Sequence, residues 1–137
     1  MAGFIKRVDL RTEFEEVCNI TEEIQTAVSE SGINSGICVV HCNHTTAGIM
    51  ITSFWDKRGH RDFMDDIDRL VPTRNDFLHT TDTPTDASGH IKSAIVGTSV
   101  SLIVESGKAM LGSSQGVMFA EFDGPRDRQF FVKVVSD

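Results

Sequence analysis

Three histidines stand among polar neighbours in this chain: His44, His79 and His90. Neutral imidazoles bind Zn²⁺ and similar ions, and three around one metal leave a fourth position for water. The same side chains can instead shuttle protons, because imidazole titrates near neutral pH. The plain alternative is that each is a hydrogen-bonded structural or surface histidine. Glu121 and Asp123 share one face of an extended run, where paired carboxylates can divide acid and base roles or hold a cation. Glu121 is the preferred carboxylate for acid/base work. Arg126 follows Gly124-Pro125, a rigid platform from which a guanidinium can clamp phosphate with two prongs. Asp123 or Glu121 could equally hold Arg126 in a structural pair. Asp127 and Arg128 read as solvated edge residues.

Hydroxyls lie close to these groups. Thr45 and Thr46 follow His44 directly, and with exposed backbone N–H groups they can hold phosphate oxygens or simply shape a turn. Ser113, Ser114 and Gln115, between Gly112 and Gly116, offer the same two readings. Trp55, beside Phe54, suits a core or an interface better than a ligand ring.

The elements that must position these side chains are mostly strands. Phe4 to Leu10 and Phe14 to Cys18 read as the first two. Thr21 can cap a helix whose Ile24, Ala27 and Val28 share a face and whose terminator is Gly32. Ile37 to Cys42 and Ala47 to Ile51 are apolar runs suited to interior strands, with the His44 cluster between them. Phe63, Met64, Ile67 and Leu70 recur at helical spacing until Pro72. Thr73 to Ser88 is a long polar stretch, and a loop of that length usually has a job or is mobile. Ser88 can cap a short helix over His90 to Val96, closed by Gly97. Ser99 to Glu105, Gly116 to Phe122 and Gln129 to Val135 read as strands, the last two as an antiparallel hairpin around Asp123-Gly124-Pro125. The expected class is α+β, a single domain over residues 1–137 with a mainly antiparallel, sandwich-like sheet arrangement and a few helices.

Composition narrows the partners. Hydrophobic residues at 39% and charged residues at 24% are an ordinary globular balance. A net charge of -7 announces no basic face for nucleic acid. No apolar run is long enough to span a bilayer, so no membrane partner is expected. Cys18, Cys38 and Cys42 are odd in number and form no CxxC arrangement, which fits reduced thiols in a cytoplasmic protein.

Taken together and in order, several segments resemble the YjbQ-like family, small proteins described as secondary thiamine-phosphate synthases. They are His44-Thr45-Thr46-Ala47, Asp56, His79, His90, Leu111-Gly112-Ser113-Ser114-Gln115, and the Glu121 to Arg126 turn with its Asp123-Gly124-Pro125. The resemblance runs from about Phe14 to Val135. It implies a homotrimer with a pocket formed by His44, Thr45, Thr46, His79, His90, Glu121 and Arg126. The implied activity is metal-assisted or acid/base chemistry on a small phosphorylated molecule, with Zn²⁺ or Mg²⁺ as the divalent ion. Thr52 and Ser53 occupy positions where the family usually carries Asn-Glu. Asp86, Ser88 and Gly89 replace its usual Asn, His and Ala. A non-catalytic ligand- or metal-binding protein with a degenerate pocket, or a structural trimeric assembly component, are the competing readings.

Overall fold

The structure, a computed structural model, describes residues 3–137. Its elements in chain order are β1 (Gly3–Arg11), β2 (Val17–Asn19), α1 (Thr21–Ser31), β3 (Gly36–His41), β4 (Ala47–Ser53), α2 (Lys57–Leu70), α3 (Asp86–Val96), β5 (Ser99–Glu105), β6 (Lys108–Ala109), β7 (Gln115–Glu121) and β8 (Asp127–Ser136). Two sheets form, ordered β1-β8-β3-β5-β6 and β2-β7-β4, and every pairing is antiparallel. This is the expected α+β class.

The alternation within each strand decides where the core sits. Cys38, Val40, Leu102, Val104, Phe130, Val132 and Val134 point inward from the larger sheet. They meet Ile49, Val117 and Phe119 from the smaller sheet and Ile24, Ala27 and Val28 from α1. Phe119 and Phe130 touch across this core with ring centres 6.3 Å apart. Each fully buried side chain of this size contributes about 1.5–3 kcal/mol. The other face of β7 carries Ala120 and Phe122 onto Met64 and Ile67 of α2. Being covered on both faces, β7 reads as an unbroken apolar run rather than an alternating one.

Several local expectations change. The second strand is only Val17–Asn19, and Phe14 lies exposed ahead of it. Thr21 is the first helical residue rather than the cap. Its hydroxyl donates to Asn19 Oδ1 at 2.6 Å and accepts from Val117 N–H at 2.9 Å, tying α1 to β7. Asp56 caps α2, its carboxylate accepting from Arg58 N–H at 2.9 Å, so that helix begins at Lys57. Helix α3 begins at Asp86, and Ser88 lies inside it. The C-terminal hairpin does not form. β7 and β8 belong to different sheets, and residues 122–126 cross between them.

That crossover and α3 converge on one end of the molecule. Helix α3 can lie against the Thr46 turn because Gly89 has no side chain. A Cβ there would stand 3.1 Å from the Phe122 carbonyl oxygen and 3.3 Å from Thr46 Cβ. Ser93 Oγ anchors the same helix to the Ala47 carbonyl at 2.7 Å. Lys92, buried, pairs with Asp68 of α2. No helix among the described residues is long and apolar enough to cross a membrane.

Candidate functional site

Asp86 opens α3 with its side chain buried, and one of its oxygens faces two imidazoles. Oδ2 lies 2.6 Å from His79 Nε2 and 3.1 Å from His90 Nε2. The three donor atoms fall within 4.8 Å of one another. On the other side of the His90 ring, Nδ1 is 3.1 Å from the Thr45 carbonyl oxygen. A carbonyl only accepts, so Nδ1 carries a proton, and in the neutral tautomer the Nε2 lone pair is left on the Asp86 side, where a bound cation would take it. Two ring nitrogens and a carboxylate oxygen thus converge, a donor set that could hold a divalent cation. A backbone carbonyl fixing the tautomer from behind is the usual outer support of a metal-binding histidine.

His44 does a different job from the one expected. Its Nε2 accepts the Gln129 N–H at 2.9 Å, and it belongs neither to this trio nor to the converging carboxylates of Asp82, Asp86 and Asp123, the two such groups among the described residues. With Nε2 occupied, the proton of the neutral ring sits on Nδ1. Burial first, and then the charge of Arg128, push its pKa below the usual histidine value. His44 is therefore a neutral hydrogen-bond donor at the wall of a cleft of about 430 Å³, which it shares with Thr45, His79, Asp86, His90 and Arg126.

Glu121 also departs from its expected role. It is fully buried, accepting from Arg128 Nε at 2.7 Å and Nη2 at 2.5 Å, from Thr12 Oγ1 at 2.5 Å and from Asp123 N–H at 2.9 Å. A carboxylate with its lone pairs committed and no path to solvent does not handle substrate protons. Arg128 is correspondingly no solvated edge residue. It is 6% exposed, and its Nη2 also donates to Thr46 Oγ1 at 2.8 Å. Thr46 is thus part of the buried frame, while Thr45 beside it is exposed to the cleft.

Arg126 reaches the cleft. Its Nη2 donates to Asp123 Oδ2 at 2.8 Å and to Asp82 Oδ2 at 3.1 Å, and its Nε to the Asp123 carbonyl at 2.9 Å. These bonds use Nε and Nη2, which leaves Nη1 to reach an anion. Burial pushes the Asp123 carboxyl up, but hydrogen bonds from Thr83, Thr85 and Arg126 outweigh it and hold the carboxyl below the usual range. Ser113, Ser114 and Gln115 lie elsewhere. Gln115 pairs with Ser53 at the end of β7 opposite Glu121, about 20 Å along the strand. There Ser114 accepts from exposed Trp55, and Gln115 Oε1 accepts from Gly112 N–H.

Fold and cleft together define a class: small α+β proteins whose two antiparallel sheets end in a polar cleft bearing histidines and carboxylates. The chain belongs to the UPF0047, YjbQ-like family, which it matches over residues 6–137. It is 42% identical to UPF0047 protein MJ1081 of Methanocaldococcus jannaschii, covering 90% of this chain and 87% of that one. It is 38% identical to UPF0047 protein YugU of Bacillus subtilis, covering 90% and 92%. A crystal structure of a YjbQ/UPF0047 family protein from Clostridium acetobutylicum superposes with a TM-score of 0.90 at 40% identity, covering 95% and 99%.

Proposed function

We propose that the chain is a cytoplasmic enzyme acting on a small phosphorylated substrate, with a divalent cation held by His79, Asp86 and His90. The observation that carries this is the single buried Asp86 oxygen facing two Nε2 atoms, on the same cleft as Arg126. Two nitrogen donors favour Zn²⁺ over Mg²⁺. Bound there, the ion supplies Lewis-acid polarisation of a phosphoryl oxygen. Arg126 Nη1 holds another phosphate oxygen, and the Nδ1–H of His44 and the Thr45 hydroxyl orient the ligand. The finer reading is secondary thiamine-phosphate synthase activity, joining hydroxymethylpyrimidine diphosphate to thiazole phosphate with the departing diphosphate steadied by Arg126. It is supported by family resemblance alone. The replacements Thr52 and Ser53 pair with Gly116 and Gln115, at the far end of β4 from the cleft, so within one chain they leave it intact.

The proposed assembly is a homotrimer. Ile5, Ile37 and Ile103 support it, exposed on the outer face of the larger sheet.

Metal content of untagged protein, purified without chelator and then supplemented with Zn²⁺, tests the cation site. The expected result is about one ion per chain, lost in Asp86→Ala and His90→Ala and retained in His44→Ala. Wild-type protein that takes up no ion after supplementation removes the metal from the proposal. Retention in Asp86→Ala removes this ligand set.

A further inference from the structure

A guanidinium holds its N–H groups in one plane, as a fork along the Nε–Nη2 edge and a second fork at the Nη1–Nη2 end. In Arg126 the first fork is filled by Asp123, whose carbonyl accepts from Nε at 2.9 Å and whose Oδ2 accepts from Nη2 at 2.8 Å. The second fork is half taken. Nη2 also donates to Asp82 Oδ2 at 3.1 Å, while Nη1 makes no hydrogen bond to the described residues. A phosphate or carboxylate held by two parallel bonds needs both prongs of that end, and Asp82 stands on one of them.

The two carboxylates on Arg126 are held very differently. That of Asp123 is 1% exposed, and the hydroxyls of Thr83 and Thr85 both donate to its Oδ1. That of Asp82 is 51% exposed, has Arg126 as its one hydrogen-bond partner among the described residues, and comes from the 71–85 segment, which forms neither helix nor strand. Oxygens of Asp82, Asp86 and Asp123 lie within 4.8 Å of one another, and crowding of like charge loosens the least anchored of the three. Asp82 lines both the cleft and a neighbouring hollow of about 740 Å³, so its side chain has room to withdraw. Asp123 alone fixes the plane of the guanidinium with two bonds, which leaves Asp82 no necessary part in orienting it.

We propose that Asp82 is an internal competitor for the anion fork of Arg126: its carboxylate occupies the Nη2 prong in the empty cleft and is displaced by a ligand that brings two oxygens of one phosphate or carboxylate group. The inference rests on the reading of the cleft as an anion site and adds how that site is held closed.

Calorimetric titration of Zn²⁺-supplemented protein with inorganic phosphate tests this in wild type, Asp82→Asn, Arg126→Gln and the double variant. An ion pair this exposed favours the closed form only a few-fold, and affinity is reduced by the fraction closed. Asp82→Asn should therefore bind phosphate about two- to sixfold tighter than wild type, with its melting temperature unchanged. In the Arg126→Gln background the same substitution should gain nothing, because the fork is gone. Unchanged or weaker binding in Asp82→Asn overturns the proposal. So does an equal gain in both backgrounds, which is what the mere loss of a negative charge produces. In either case phosphate binding by wild type leaves the phosphate reading standing. If neither wild type nor Asp82→Asn binds phosphate, that reading fails, and acetate then decides the fork alone. Tighter acetate binding by Asp82→Asn than by wild type supports the competitor, and equal or absent binding overturns it.

Discussion

His44 shows how little a residue type says until its partners are known. Gln129 donates to its Nε2, and burial and Arg128 disfavour its charged form. The unfolded chain takes up this proton near pH 6.5, whereas the folded chain resists it until a lower pH. The unfolded state therefore binds more protons across that interval, so stability rises with pH there and is lost as pH falls below about 6.5. Asparagine can accept the same N–H without titrating. Melting temperature between pH 7 and pH 5 should accordingly fall less in His44→Asn than in wild type, and identical slopes would take His44 out of the acid response. His79, His90 and Arg126 were legible as candidates because their chemistry is exposed in their type. Asp86 is harder to read, because a helix running from His90 to Val96 leaves it in the preceding loop, whereas α3 in fact begins at Asp86. Starting α3 at Asp86 makes Asp86 and His90 an i,i+4 pair on one helical face, the signal that could have found it.

At the level of elements, the site depends on a buried polar frame that joins the two sheets. Arg128 at the start of β8 grips Glu121 at the end of β7 and Thr46 in the turn before β4. Thr45, one residue earlier, presents the carbonyl that sets the His90 tautomer. Removing Arg128 leaves a buried carboxylate without its cation, which costs about 3–5 kcal/mol. Urea denaturation should show a loss of that size in Arg128→Met. Glu121→Gln added to it should recover part of the loss, since it removes the uncompensated charge, and the amide oxygen can still accept from the Asp123 N–H while its NH2 faces the Thr12 hydroxyl, which can accept. No recovery in the double variant would mean the bond to Thr46, rather than the charge pair, dominates. The strands themselves were readable from apolar runs, but this frame was not. Glu121 and Arg128 look like ends of a solvent-facing hairpin until β7 and β8 are assigned to different sheets, and sheet assignment is a long-range choice that local pattern does not encode.

For the molecule as a whole, the two faces of the larger sheet differ in what covers them. The inner face packs on α1 and the smaller sheet, while the outer face sets Ile37 beside Ile103 and Val135 across neighbouring strands. Ile37 and Ile103 are 55% and 62% exposed. Single exposed apolar residues need no explanation, but a row crossing adjacent strands forms a patch of the kind that marks an interface. If the proposed trimer forms through this face, sedimentation of Ile37→Lys/Ile103→Lys should show dissociation to single chains. The fold should survive, because neither side chain contributes to the core. His79, Asp86, His90 and the Thr45 carbonyl all come from one chain, so the dissociated variant should still bind about one Zn²⁺ per chain. Wild-type protein that sediments as a monomer would remove this face as an interface. Dissociation with loss of the ion would instead mean that a neighbouring chain helps to build the cleft, and the turn carrying Ser113, Ser114 and Gln115, too distant to reach it within one chain, would be the first segment to test.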